Sequence, residues 1–387
     1  MMHYDIVIVG GGLVGASLAL ALANSALTIA VIDARGFNPD DERLFALNVH
    51  SCVFLKKIIA WDELTKHATP IEHIHVSVKK QFGVVKLHAA DINISSLGQV
   101  IPAKELEKTI YSQLKNIANV TLLHPALLQS FTQHIDRVDL NINYNDAPLS
   151  LSTKFMLAAD GTHSTVRKQL NIATRINDYQ QTAIVTRTQL KRAHEQTAYE
   201  RFTENAVIAM LPLQQNTCAT IISTDNVNAA KLMALSDAEF TTYLQKAFGY
   251  RLGKFEKNSK RFTYPLQQVI ADNNYSQRVL LIGNAAHTIH PIAAQGLNVA
   301  LFEVTSLAKD IQTYLKTHQH INDYSLQAIS KKLKKPQALN LNLSHNLTKL
   351  FASNSKLLNV TTQIGMISMD MIGIIKQTFI KKMIGME

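Results

Sequence analysis

The chemistry in this sequence starts with three glycines and an aspartate. Gly10, Gly12 and Gly15 form G-x-G-x-x-G between the β-branched run "YDIVIV" and the helix-like run "LALALANS", with Leu13 and Val14 inside the turn. In such a loop the first glycine permits a tight turn, the second lets backbone approach a pyrophosphate, and the third packs helix on strand. The helix N-terminus then offers unpaired N–H groups to phosphate. Asp33 ends a second apolar run, "LTIAVID", 18 residues after Gly15, where a carboxylate accepts from a ribose hydroxyl; Arg35 lies just beyond. This pattern is dinucleotide chemistry, and by itself it does not separate NAD from FAD.

Two distant segments add to it. In "LAADGTHSTVRKQL" (157–170), Asp160 and Gly161 stand at a strand end, Ser164 is placed to cap a short helix, and Arg167 lies one turn in. In "GNAAHTIHPIAAQGLN" (283–298), two histidines, a proline and two glycines sit between the strand-like "RVLLI" and a long amphipathic run. His73 and His75 share one strand face, which is metal-like, but no third ligand follows at a metal-site spacing. There is no G-x-S-x-G, and Cys52 and Cys218 have no catalytic context.

The elements that must position these residues read as follows. Residues 4–33 form a β-α-β unit, and 43–58 has helical periodicity. "HIHVSV" and "GVVKLHAA" pair around a turn near Gly83, 102–116 is a helix opened by proline, and 131–157 alternates like a hairpin. From 175 to 265 strand-like runs dominate, with one helix around "SDAEFTTYLQKAFG". The expected class is α/β: a Rossmann-like dinucleotide domain (1–174 and 266–330), an inserted β-sheet substrate domain (175–265), and a basic helical C-terminal tail (331–387).

Composition narrows the class. With 387 residues and 47% apolar content, the chain has a sizeable core available. Two cysteines without a pairing pattern fit a reducing compartment. "MMHYDIVIVGGG" has no basic n-region, so no signal peptide is expected. No uncharged apolar stretch reaches the roughly 20 residues of a membrane span. Residues 331–387 hold nine lysines against Asp370 and Glu387, a net +7 out of +10. Such a tail is attracted to an anionic membrane by about 1 kcal/mol per lysine, or it is a solvated helical segment. No nucleic-acid motif supports a nucleic-acid partner.

Together, D-G-x-x-S-x-x-R at 160–167 and the segment 283–298 resemble the aromatic-ring flavoprotein hydroxylases. "DERLFALNVHS" (41–51), "LGQVIPAKEL" (97–106), "ERFT" (200–203), "FGYRLGK" (248–254) and "LFAS" (350–353) are similar to the ubiquinone-pathway branch of that family. The resemblance spans almost the whole chain. It implies an FAD enzyme that uses NAD(P)H and O2 to hydroxylate a 2-polyprenyl-6-methoxyphenol, a cytoplasmic protein peripheral to the inner membrane. It leaves as alternatives another ring position, a small soluble aromatic, or a non-catalytic FAD scaffold in a quinone-synthesis complex. A polyprenyl chain is costly to bring into water, so the enzyme is expected to meet a membrane surface or a lipid-carrying partner protein.

The resemblance also implies roles for residues. Asn284, where the wider family has Asp, meets the ribityl-phosphate part of FAD. His287 to Pro291 form a loop before the isoalloxazine ring, with His290 in it. Gln295, Gly296, Leu297 and Asn298 open a helix whose N–H groups face the flavin N1–C2 edge, next to Ala294 where glycine is common. Arg43 lies near the flavin and its phosphates and Lys104 on the adenosine side, a surface ion pair being the alternative for each. The apolar runs "VIAMLPL" and "TAIVT" are candidate pocket walls, with Met210, Leu211 and Pro212 lining the substrate pocket. No second G-x-G-x-x-G is present, which implies transient NAD(P)H binding, and no side chain is assigned as acid or base.

Overall fold

The computed structural model describes residues 2–80, 84–288, 295–318, 322–333 and 377. Its main sheet runs in the order Tyr275–Ser276, Val279–Leu281, Ala147–Ala158, Met2–Val9, Ile29–Ile32, Val120–Leu123. The last five strands pair in parallel. Parallel strands are covered on both faces, which is why "IVIV", "IAVI" and "FMLA" are apolar without alternation. One face packs under the helices Leu13–Ala21, Ala103–Leu114 and Gln295–His318 through Ile6, Ile8, Val31, Leu157, Leu301 and Val304. The other packs under the strands Ala126–Gln133 and Val138–Tyr144, which branch antiparallel from Ala147–Ala158. Residues 323–333 add a helix behind the long one.

A second sheet is antiparallel apart from one parallel pairing. Its order is His287–Thr288, Phe262–Ala271, Thr174–Leu190, Thr217–Asp225, Ala206–Pro212, Thr197–Phe202, His73–Val78, Val84–His88, with Phe255–Asn258 off the path. Its strands alternate, since one face is covered by the helix Asp237–Phe248 and the other only in part, by Val49 and a three-stranded sheet. Ile184, Ile208, Met210 and Ile222 pack against Phe240, Leu244 and Phe248 of the helix Asp237–Phe248. That helix opens on a Ser236–Glu239 capping box. A third, three-stranded sheet (Leu44–Asn48, Gly98–Pro102, Thr69–Ile71) fills the space between the two large ones.

Three expectations are corrected. Residues 44–48 are a strand, and the helix begins only at Val49, because Asn48 caps it by accepting from the Ser51 N–H. The β-rich region holds a second helix, Asn226–Ala234, capped by Asp225. Its sheet also recruits the hairpin His73–His88, since Thr197–Phe202 pairs in parallel with His73–Val78. Among the described residues no helix is long and apolar enough to cross a membrane. The tail beyond residue 333 lies outside the described residues, apart from Gln377.

Candidate active site

Four parallel strands end at one edge of the main sheet, and each delivers a residue named from the sequence. Val9 leads to Gly10, Ile32 to Asp33, Ala158 to Asp160, and Leu281 to Gly283 and Asn284. Ligands of open α/β sheets bind at this carboxyl edge.

The glycine loop is shaped by close approach. Gly10 has φ +103°, and a Cβ there would meet the Ala159 carbonyl oxygen at 2.5 Å; at Gly15 it would meet the Gly10 oxygen at 2.0 Å. At Gly12 a Cβ would meet nothing within 4 Å. The space is on the ligand side, where Gly12 stands as the N-cap of Leu13–Ala21 without a side-chain cap and with no acid in the first turn. The N–H groups of that turn therefore face an opening suited to an anion. Gly11, which the spacing rule ignores, is also constrained: a Cβ would lie 2.7 Å from the Asp33 Cβ. The Asp33 carboxylate accepts the Gly36 N–H at 3.0 Å and the Arg35 N–H at 3.4 Å, while the Arg35 side chain is exposed. Val14 packs beside Gly283.

Asp160 accepts the Val166 N–H through Oδ2, and its buried Oδ1 has no partner. An orphaned carboxylate oxygen here, beside a cradle open only at Gly12, fits a ligand that brings both phosphate and hydroxyl groups. Gly161 adopts φ +83° and turns the chain away from the edge. Ser164 caps the next helix by accepting from the Arg167 N–H. Arg167 is buried and donates to the carbonyls of Thr162 and Ala285, both at 2.7 Å. Burial holds its pKa below the ordinary arginine value. It ties the Asp160 loop to the Gly283 segment, a role that the motif alone did not reveal.

That second segment passes from one large sheet to the other. Asn284 is exposed at the main sheet's edge, and His287–Thr288 pairs with Val269 and Ile270 of the second sheet. Glu303, inside the long helix, accepts the Gly283 N–H at 3.0 Å and pairs with Nε2 of the buried His287. Burial works against the charged imidazole, but the Glu303 carboxylate outweighs it and raises the His287 pKa. His287 is therefore held structurally, and Glu303 is a residue sequence reading missed. Ile289, His290, Pro291 and Ala294 lie outside the described residues. Gln295, Gly296 and Leu297 form the first turn of Gln295–His318. The Asn298 side chain accepts from the Asn48 N–H and the Ser51 hydroxyl and donates to the Ala46 carbonyl. It anchors the helix start to the strand that follows Arg43.

Arg43 itself is half exposed, 2.6 Å from Asp41 and 3.5 Å from Glu107, with its guanidinium over Phe45. Burial opposes the Asp41 carboxylate, yet the hydrogen bonds from Arg43 hold its pKa below the usual range. Lys104 is half-buried in the first turn of Ala103–Leu114, next to Ala103, whose N–H donates to the Arg43 carbonyl. Both cations thus stand on one side of the site.

The pocket expectation for Met210, Leu211 and Pro212 is corrected in part. Met210 is fully buried in the core under Phe240 and Phe248, and Pro212 is buried on the same strand face. Leu211 points the other way, into a cluster with Ile71, Val100 and Ala198. A β-strand alternates, so the three cannot share a wall. His73 and His75 do share a strand face, where His73 meets His88 at 2.9 Å and His75 is buried. Among the described residues no three metal-ligating side chains converge.

Comparison with known proteins agrees with this geometry. The chain is 28% identical to ubiquinone hydroxylase UbiL of Rhodospirillum rubrum, over 98% of this chain and 89% of that one. It is 24% identical to 3-demethoxyubiquinol 3-hydroxylase of Escherichia coli, over 99% and 98%. Among solved structures, p-nitrophenol 4-monooxygenase PnpA of Pseudomonas putida superposes with a TM-score of 0.79 at 16% identity, covering 99% and 98% of the two chains. PqsL of Pseudomonas aeruginosa, solved with 2-aminobenzoylacetate, gives a TM-score of 0.78 at 18% identity, over 93% of this chain and all of that one. Residues 3–328, which include all four strand ends and the helix that buttresses them, match the family described as the FAD binding domain, and the chain belongs to that family.

Proposed function

We propose that this chain is an FAD-dependent monooxygenase that hydroxylates the ring of a 2-polyprenyl-6-methoxyphenol in ubiquinone biosynthesis, with NAD(P)H as reductant and O2 as oxygen source. The observation that carries this reading is the match to ubiquinone hydroxylases along nearly the entire chain, beyond the cofactor cradle alone.

Bound FAD supplies the redox chemistry that activates O2, and the protein contributes binding, orientation and exclusion of water. We assign the phosphates to Gly10, Gly12, Leu13, Val14 and Gly15, a ribose hydroxyl to Asp33, and the polar chain of the cofactor to Asp160, Gly161 and Asn284. Arg43 and Lys104, with Arg35, supply positive charge on that side. The N–H groups at Gln295, Gly296, Leu297 and Asn298, at the start of the long helix, would hold the ring end of the cofactor, where donors and a helix N-terminus would favour negative charge. Pro291 belongs to the same assignment. The second sheet, including its recruited hairpin, forms the substrate side.

The direct test is reconstitution with FAD followed by NAD(P)H oxidation in the presence of 2-methoxy-6-prenylphenol under labelled O2. A product one labelled oxygen heavier, with the position read by NMR, supports the reading. NAD(P)H oxidation that ignores the phenol overturns it. The basic segment 331–387 extends the proposal to peripheral membrane association, directly or through a lipid-carrying partner. Binding to anionic vesicles is expected to weaken as salt rises, since exposed charges are screened over about 8 Å at physiological ionic strength.

A further inference from the structure

The face of the second sheet turned away from its helices is an apolar floor with one carboxyl group in it. Register places Phe262, Val185, Ile221, Ala209, Glu200, Val76 and Val85 in one row across seven strands. Residues paired in register point to the same face, so Glu200 sits among six apolar side chains. The neighbouring positions on this face are also apolar: Ala198 and Phe202 on its own strand, Leu211 and Val207 on one side, Ile74 and Val78 on the other.

One end of this floor adjoins the main domain through the three-stranded sheet, whose Leu47 and Ile101 pack in the main core. Ala198 and Leu211 pack on Ile71 and Val100 of the three-stranded sheet, whose edge strand follows Arg43. Arg187, on the same face as Val185, pairs with Glu42. Val185, Ala209 and Ile221 stay partly exposed although apolar, as expected for the wall of a cleft.

Glu200 makes no hydrogen bond or ion pair among the described residues; the residue as a whole is half-buried, and its carboxyl group is the desolvated part. The two strands paired with its own and the small sheet bring no charge next to it; on the same face lies the Arg187–Glu42 pair, and the helix Val49–Ile58, whose Val49 packs with Val76 and Val85, carries His50, which packs on Phe302. His73 and His75 lie on the opposite face of their strand, and Leu44–Asn48, Thr69–Ile71 and Gly98–Pro102 contain no titratable residue. The nearest cation in register terms is Arg187, three strands away from Glu200 or about 14 Å at the usual strand spacing.

We infer that Glu200 is the group on the cleft floor that receives the hydrogen of the substrate's ring hydroxyl. The inference rests on the phenol reading above and extends it to a residue for which no role has been assigned. In the step, the phenol O–H bond breaks, its proton passes to a Glu200 carboxylate oxygen, and the electron pair stays on the phenol oxygen. The ring becomes more electron-rich and more open to hydroxylation, and the proton returns to the oxygen when product forms. No other reactant is needed. Desolvation on the apolar floor raises the Glu200 pKa to about 7, so the acceptor form accumulates above that pH and the step should speed up as pH rises through it.

The test compares FAD-loaded wild type with Glu200→Gln and Glu200→Asp, using 2-methoxy-6-prenylphenol as the probe. Two readouts are followed: the pH profile of kcat/KM for coupled hydroxylation, and the ultraviolet difference spectrum of the bound phenol. The expected wild type shows a rising limb near pH 7 and a phenolate-like shift on binding. Glu200→Gln loses both, with kcat/KM down roughly 10²-fold on the alkaline side, and Glu200→Asp keeps a limb at a displaced pH. A merely structural role would leave the limb and the spectrum in place. If Glu200→Gln keeps the wild-type limb while wild type hydroxylates the probe, this inference alone falls. If wild type retains FAD but neither binds nor oxidises the phenol, the substrate reading falls and takes the inference with it.

Discussion

Replacing Glu303 by alanine tests how the cofactor edge is held. The Glu303 carboxylate is 2% exposed and serves two groups at once, the Gly283 N–H and Nε2 of His287, itself 4% exposed. Removing one partner of a buried pair leaves the other uncompensated, which costs about 3–5 kcal/mol. The abandoned Gly283 N–H adds about 1–3 kcal/mol. His287 can shed its proton to limit the first loss, so a total near 4 kcal/mol is expected for Glu303→Ala. Glu303→Gln keeps an acceptor for the N–H and should lose about half of that. Urea unfolding followed through the single tryptophan, Trp61, reads both values. The pH dependence gives a second check. Because the folded pKa of His287 is raised, the pair's stabilisation is complete below the unfolded value of about 6.5 and fades as pH rises through the folded one. The gap between wild type and Glu303→Gln should therefore be wider at acidic than at alkaline pH. A loss below about 1 kcal/mol for Glu303→Ala, or a gap that widens with pH, would refute this account of the edge.

Three further outcomes are expected. Gly12→Ala should fold with near-normal stability yet lose most FAD affinity in fluorescence titration, because its Cβ enters the open cradle, whereas Gly10→Ala should unfold more readily, its Cβ meeting a backbone oxygen at 2.5 Å with φ at +103°. Arg167→Ala should lower stability by about 3 kcal/mol, two charge-assisted bonds being lost, and should weaken FAD retention, since the Asp160 loop is no longer clasped to Ala285; unchanged retention by gel filtration would contradict the clasp. Burial pushes both thiols, Cys52 and Cys218, up to about 12, so a thiol reagent at mildly alkaline pH should label the native protein far more slowly than the urea-unfolded one.

Local patterns made much of the cofactor edge readable. The β-α-β unit from "YDIVIV" to Asp33, the Asp160–Gly161 turn with its Ser164 cap and the long amphipathic helix from about Gln295 follow from short-range rules of periodicity, capping and turn chemistry. What these rules miss is decided by partners far away in the chain. The run at 44–48 looks helical, but pairing with Gly98–Pro102 and the Asn298 side chain draw it into a strand.

The sequence by itself determined a dinucleotide unit, the carboxylate that ends its second strand and an FAD-type ensemble of motifs, because each depends on residues within about one turn or one strand of each other. Only the tertiary structure decided that Glu303 holds His287, that Arg167 clasps Ala285, and that the His73–His88 hairpin joins the second sheet. It also turned Met210 inward and Leu211 toward the three-stranded sheet, and it set Glu200 alone on an apolar floor. Which face a strand buries depends on what packs against it, and no spacing along one strand records that.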